Sequence, residues 1–288
     1  MTFPIQSIKD IRLYLAKELK EFYKEPELSA IANIITKTVT GVTRLHQLYM
    51  PEYNITDIEA ERIRGICNEL KTGKPLQYIL GETIFYDLPF KVTGATLIPR
   101  PETEELVDLI IKENKGFTGD IIDFGTGSGC IAISLAVNLP DAKITGTDIS
   151  DEALTVAKEN ALLNKATVTM LKSDIFEFDY KAIDKADIIV SNPPYVRDSE
   201  KILMKKNVID FEPHLALFVS DSDPLVYYRS ILNVAEKILR KGGKVYFEIN
   251  EAMGKSMTEL FKSFGYSSIQ IVHDINGKER IIKGEKDA

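Results

Sequence analysis

Ser191-Asn192-Pro193-Pro194-Tyr195 is the segment whose residue types point most directly to a reaction. Two consecutive prolines fix two φ angles and remove two backbone N–H donors. What remains is a rigid platform of acceptors. The Asn192 side-chain oxygen and the Pro193 carbonyl can both accept from one planar NH2 group, and Tyr195 can stack flat on that group. A conjugated nitrogen of this kind is a weak nucleophile. It gains positive charge as it bonds to carbon, so fixed acceptors hold it more tightly in the transition state than in the ground state. Orienting it in line with an electrophilic methyl group supplies the rest. No general base of tuned pKa is needed, because the nitrogen becomes more acidic once methylated.

Two further features could hold a nucleotide-like ligand. Asp123-Phe-Gly-Thr-Gly-Ser-Gly-Cys130 places Gly125, Gly127 and Gly129 after an apolar strand and before a helix. Glycine lets backbone turn with positive φ and come close to a ligand, and the following helix offers free N–H groups. The spacing departs from the dinucleotide fingerprint, because the third glycine follows the second by only two residues. That disfavours a nicotinamide-binding oxidoreductase. Asp148 ends the next strand, 19 residues after Gly129. It suits both hydroxyls of an adenosine ribose; alternatively Asp148, or Ser150 beside it, caps the following helix. Asp174 ends a third strand and is placed to touch an adenine amino group, with Ile175 to cover the ring. Either could equally belong to a surface turn.

These loops need strands behind them. Apolar, β-branched runs predict strands at Gly119–Phe124, Ala142–Thr147, Thr167–Lys172, Ala186–Ser191, Gly243–Ile249 and Ser267–His273. Helical spacing predicts helices at Thr103–Lys115, Cys130–Asn138, Asp151–Asn164, Pro224–Leu239 and Glu251–Ser263. Alternating strands and helices imply an α/β domain, a mostly parallel sheet with helices on both faces. Its ligands bind beyond the C-terminal strand ends, where the three motifs lie.

The first 80 residues read differently. Ile8, Ile11, Leu15, Leu19 and Phe22 recur at helical spacing. Pro26 precedes a second apolar run at Leu28, and Thr56-Asp57-Ile58-Glu59 opens a third helix with a cap and acids. We read 1–80 as a helical domain of four or five helices, 81–94 as a β-hairpin linker, and 95–288 as the α/β domain.

The 288 residues carry 36 basic and 43 acidic side chains, net −7. At about 150 residues per domain that length allows two domains. With 44% apolar and 27% charged residues, a disordered, collagenous or disulfide-dense chain is excluded. No apolar run reaches the ~18 residues of a membrane span, and the first residues lack a secretory signal pattern. A cytoplasmic protein with no membrane partner is expected. Cys67 and Cys130 read as two buried thiols. Residues 1–85 hold eleven basic and eleven acidic residues, so the whole −7 falls on 86–288. This balance argues against stable nucleic-acid binding by bulk charge.

Other features weigh less. His46, His214 and His273 are scattered, and none pairs with cysteine or acid at metal spacing, so no metal is expected. Arg100 either orders its loop by a salt bridge or contacts substrate. Arg197, Lys201, Lys205 and Lys206, with Asp198 and Glu200 among them, form either a solvated face or a docking patch. Arg240, Lys241 and Lys244 suit a helix end.

The glycine loop, Asp148 and Asn-Pro-Pro-Tyr together resemble the S-adenosylmethionine-dependent amino-methyltransferases. Gly73-Lys-Pro-Leu-Gln-Tyr-Ile-Leu-Gly81, Leu97-Ile-Pro-Arg-Pro-Glu-Thr-Glu104 and Phe211-Glu-Pro213 with Ala216-Leu217 are similar to the HemK-type family. These are the protein-(glutamine-N5) methyltransferases of peptide chain release factors. The resemblance runs from about residue 60 onward; earlier residues match only in being helical. Gln77 and Leu80 depart mildly, where the family varies. The resemblance implies a Rossmann-like class I methyltransferase domain with a mostly parallel seven-stranded sheet. It implies that Gly125, Thr126, Gly127, Ser128 and Gly129 wrap the methionine end and ribose of the cofactor, that Asp148 binds the ribose, and that Asp174 and Ile175 sit at the adenine. Asn192, Pro193, Pro194 and Tyr195 would hold the glutamine amide of a Gly-Gly-Gln loop, with Asn192 also near the cofactor. Leu97 to Glu102 would line the methyl-transfer end, and the helical domain and hairpin would grip a class I release factor. Two alternatives stay open: an enzyme methylating the exocyclic amino group of adenine or guanine in DNA or RNA, and a non-catalytic nucleotide-binding module.

Overall fold

The computed structural model describes residues 3–49, 53–181, 183 and 185–287. Residues 1, 2, 50–52, 182, 184 and 288 fall within the expected domain limits and lie outside the described residues. The chain divides into two compact units, one of residues 1–81 with 206–211 and one of residues 82–205 with 212–288.

In the first unit, helices α1 (Ile8–Leu19), α2 (Glu25–Thr40), α3 (Arg44–Tyr49), α4 (Asp57–Lys71) and α5 (Leu76–Leu80) follow one another. Reciprocal capping boxes start α1 at Ser7 and Asp10 and α4 at Thr56 and Glu59. Ile11, Leu15 and Leu19 bury against Ile35, Ile63, Cys67 and Leu70. Phe22, counted into the first helical stripe from sequence, lies past the end of α1 and is exposed. A turn after Leu19 takes it off the buried face.

The second unit opens with a hairpin, β1 (Glu82–Phe85) and β2 (Leu88–Lys91). Tyr86 and Asp87 turn it with φ of 48° and 60°, the pattern of a type I′ turn. Tyrosine adopts that φ reluctantly. Here its N–H is taken up by Glu104 Oε1 at 2.9 Å. The hairpin contributes to this unit's core, where Phe85 and Phe90 meet edge to face.

Then come α6 (Pro101–Glu113), β3 (Asp120–Phe124), α7 (Cys130–Asn138), β4 (Lys143–Asp148), α8 (Asp151–Leu163), β5 (Val168–Lys172), β6 (Ala186–Ser191), the short β7 (Val196–Arg197), α9 (Lys206–Phe211, in the first unit), β8 (Phe218–Val219), α10 (Val226–Ile238), β9 (Leu239–Glu248), α11 (Gly254–Ser263), β10 (Tyr266–His273) and β11 (Glu279–Lys286). Seven strands form one sheet in the order β10-β11-β9-β6-β3-β4-β5. β9, β6, β3, β4 and β5 are parallel, and β11 runs antiparallel to both its neighbours. The six strands read from sequence omit β11. Its apolar signal is only Ile281-Ile282 among charges, one residue buried on each face of the sheet, too short a run to read as a strand.

Alternate side chains cover the two faces, as the period of a strand requires. Ile122, Ile189, Val245 and Phe247 meet α10 and α11. Ile121, Ile188, Val190 and Tyr246 meet the side bearing α6 and α7. Among the described residues no helix is long and apolar enough to cross a membrane.

Candidate active site

The sheet reverses its winding at β3: β4 and β5 lie to one side, β6 and β9 to the other. Phe124 pairs in register with Thr147 on β4 and with Ser191 on β6. The glycine loop, Asp148 and Asn192 therefore leave the sheet at one level, around the crevice where such sheets bind ligands. Ser191 Oγ donates to the Phe124 carbonyl at 2.6 Å and ties two of these ends together. The crevice has a volume of about 350 Å³. Of the residues chosen from sequence, Gly125, Gly127, Asp148, Asp174, Ile175, Asn192, Pro193 and Pro194 line it.

Thr126, Ser128, Gly129 and Tyr195 do not line it. Thr126 turns inward, and its Oγ1 donates to Asp123 Oδ2 at 2.6 Å. The Ser128 carbonyl accepts from Asn160 on α8. Gly129 starts α7 with φ 81°, and a Cβ there would lie 2.8 Å from Ile133 Cδ1 and 3.3 Å from Ala157 Cβ. These three hold the loop from behind. Gly125 and Gly127 have nothing within 4 Å of a notional Cβ, so their backbone is open on the crevice side.

Asp148 faces the crevice and also organises the loop. Its Oδ2 accepts the Gly127 N–H at 2.8 Å and its Oδ1 the Ser150 N–H at 3.0 Å. Ser150, not Asp148, caps α8 by accepting from the Ala153 N–H. Burial pushes the Asp148 carboxyl above the usual range, opposed by these N–H donors. Asp174 Oδ1 accepts the Phe176 N–H at 2.8 Å, and Ile175, Phe176 and Tyr227 complete that end of the crevice.

Asn192 is held by a chain of side chains that the sequence reading did not pick out. Its Nδ2 donates to Thr103 Oγ1 at 3.2 Å, and Thr103 Oγ1 donates to Glu248 Oε2 at 2.6 Å. The Tyr195 hydroxyl donates to Glu248 Oε1 at 3.0 Å. Glu248 ends β9, one residue past Phe247, which is in register with Ser191. Thr103 sits in the first turn of α6 at 2% exposure and Glu248 at 1%. Burial raises the Glu248 carboxyl, while its two hydroxyl donors and the charge of Arg280 pull the other way. The Tyr195 ring is partly buried and packs against the cluster on the α10 side of the sheet. Neither Asn192 Oδ1 nor the Pro193 carbonyl takes a hydrogen bond from a described residue.

Arg100 resolves as a salt bridge: its Nη2 lies 2.7 and 2.8 Å from the two oxygens of Glu212. Glu212 Oε2 also accepts the Ile98 N–H at 3.4 Å. Of the segment Leu97 to Glu102, only Leu97 reaches the crevice, beside Gly94, Ala95 and Thr96. In the basic run, Arg197 pairs with Glu200, Lys201 with Asp198 and Lys206 with Asp210. Arg240 lies just past the end of α10, at the start of β9, and pairs with Asp120 and Asp187. Among the described residues no group of histidine, cysteine and acid side chains could hold a metal. Cys67 and Cys130 are unpaired, the first buried and the second half-buried. Of the residues missed, Thr103 lies inside a segment already singled out. Glu248, an acid ending an apolar strand, was the signal available for the other.

Known proteins resemble both parts of the chain. The Methyltransferase small domain family matches residues 102–211, and the PrmC N-terminal domain family matches residues 10–81. The likeness thus extends into the first 60 residues, where the sequence motifs had shown only helix. A release factor glutamine methyltransferase of Flavobacterium psychrophilum is 44% identical over 280 residues, 96% of this chain and 98% of that protein. That of Bacteroides thetaiotaomicron is 43% identical over 276 residues, 96% of this chain and 99% of its own. A solved methyltransferase from Pyrococcus furiosus shares the fold, with a TM-score of 0.53 over 81% of this chain and all of its own at 17% identity. With likeness at this level running from the helical unit through the acceptor platform, the chain belongs to the family of release factor glutamine methyltransferases.

Proposed function

We propose that this chain methylates the side-chain amide nitrogen of the glutamine in the Gly-Gly-Gln motif of peptide chain release factors. The observation that carries the reading is the pair of unspent acceptors, Asn192 Oδ1 and the Pro193 carbonyl, on two residues that line the crevice. A primary amide presents two N–H groups in one plane, and two fixed acceptors hold both. Positive charge grows on that nitrogen during transfer, so these contacts strengthen at the transition state. The nitrogen releases a proton once the new C–N bond has made it acidic.

S-adenosylmethionine fits the remainder of the crevice. The open backbone of Gly125 and Gly127 is a cradle that any Cβ would narrow, Asp148 offers acceptors for the ribose hydroxyls, and Asp174 and Ile175 suit the adenine. When bound, it supplies an electrophilic methyl group on a sulfonium centre. The helical unit, with the hairpin, is assigned to gripping the release factor. The enzyme works in the cytoplasm, where peptide release takes place and where Cys67 and Cys130 stay reduced.

The test is transfer of tritiated methyl from the cofactor to purified release factor, with nucleic acid offered in parallel. Mass spectrometry then locates one added methyl group on the Gly-Gly-Gln glutamine. Label found only in nucleic acid overturns the reading.

A further inference from the structure

We infer that Thr103 and Glu248 are positioning residues that set the direction of the Asn192 side-chain amide. The inference rests on the proposed reaction, in which Asn192 must present an acceptor. An asparagine amide is nearly symmetric in shape, so packing alone does not decide which end faces the crevice. If the NH2 end faced it, a donor would meet the substrate's own donors.

The surroundings remove that ambiguity. The Glu248 carboxylate is buried with both oxygens accepting, one from Thr103 and one from Tyr195. A hydroxyl has a single proton, and that of Thr103 is committed to Glu248. Thr103 Oγ1 can then only accept from Asn192, so the group facing it must be Nδ2. Oδ1 is left to the crevice. The direction is thus passed from a buried acid on β9, through the first turn of α6, to the loop after β6. Threonine suits the middle position, because its hydroxyl accepts and donates at once while its methyl packs. Tyr195 takes the other oxygen of Glu248, which leaves that acid with no competing use for the Thr103 proton.

Thr103→Val and Thr103→Ser separate this role from packing. Valine keeps the shape and removes the hydroxyl, which frees the amide to turn. We expect kcat for release-factor methylation to fall roughly 10- to 100-fold, the scale of loss when a reacting group is misplaced. KM for the release factor and affinity for S-adenosylhomocysteine stay at wild-type values. Serine keeps the hydroxyl and restores kcat. A valine variant with full kcat, or a serine variant as slow as valine, overturns the inference.

A second readout needs no variant of Thr103 and no activity. The Asn192 side-chain NH2 resonances of the wild-type protein, identified by their loss in Asn192→Ala, should exchange with solvent far more slowly than a free amide. Exchange at the free rate overturns the inference even if the enzyme is active. Slow exchange in a protein that methylates no release factor would instead uphold the relay and overturn the proposed function.

Discussion

The Asn160 side chain on α8 bonds the backbone of Lys91 in both directions, accepting its N–H at 2.6 Å and donating to its carbonyl at 3.0 Å. The same amide donates to the Ser128 carbonyl at 2.9 Å. One fully buried side chain therefore joins the hairpin to the glycine loop. Asn164, one turn on, adds a bond to the Pro89 carbonyl. The chain running from this hairpin forms the crevice wall at Gly94 to Leu97.

Asn160→Ala removes three hydrogen bonds to backbone, a buried one at the Ser128 carbonyl and two part-buried ones at Lys91. Each such loss is expensive, and we expect a destabilisation of about 2–4 kcal/mol. Hydrogen exchange should quicken at the Lys91 N–H, which loses its acceptor. Asn160→Asp gives no rescue, because two carbonyls would then face a carboxylate. Unchanged stability and exchange in the alanine variant would show that the staple carries no weight.

Much of this could be read from residue types. The glycine loop, Asp148 and Asn192 each follow a strand whose apolar run is long enough to recognise, and parallel strands must bring such ends together. The supporting residues could not be read the same way. Thr103 and Glu248 are 145 residues apart in sequence, and their pairing arises only once α6 and β9 are packed. Arg100 and Glu212 are likewise joined by the fold, so sequence left salt bridge and substrate contact equally open. The Tyr195 hydroxyl finds its acceptor in Glu248, 53 residues on, a partner that sequence spacing does not indicate.

Arg100→Ala strands the Glu212 carboxylate, whose side chain is 2% exposed. Removing one partner of a fully buried pair costs about 3–5 kcal/mol. Arg100 keeps a third of its surface in water, so we expect about 2 kcal/mol here, measured by equilibrium denaturation. The double variant Arg100→Ala with Glu212→Gln should recover part of the loss, since no unpaired charge remains. An additive double variant would mean that the two do not interact.

Asp148→Ala should weaken S-adenosylhomocysteine binding by about 10- to 100-fold, the value of one or two hydrogen bonds to a charged acceptor. The Gly127 N–H loses its partner in the same step. Titration calorimetry reads this directly. An unchanged Kd would confine Asp148 to holding the loop.

Asn192→Ala removes an acceptor used most strongly at the transition state. We expect kcat to fall roughly 100- to 1,000-fold, with affinity for S-adenosylhomocysteine unchanged. Equal loss of binding and turnover would mean that Asn192 serves the cofactor rather than the nitrogen.

Asp123 gives the protein a pH-dependent stability. Its carboxyl is fully buried beside Thr126, with Asp148 and Cys130 as the nearby titratable groups, and burial pushes it from 3.8 up to about 7. Between those values the folded chain keeps the proton and the unfolded chain releases it. The resulting stability is complete below the unfolded value and is lost as pH rises toward 7, at up to about 1.4 kcal/mol per pH unit. Above that range both states are ionised and the contribution stays flat. Asp123→Asn keeps an acceptor for Thr126 and cannot ionise. Relative to wild type, the variant should therefore gain stability between pH 5 and pH 7, and its advantage should level off by pH 8. Urea denaturation at these three values measures the difference. Parallel wild-type and variant profiles would mean that Asp123 is ionised in the folded protein throughout, and that the buried carboxyl is stabilised by more than its bond from Thr126.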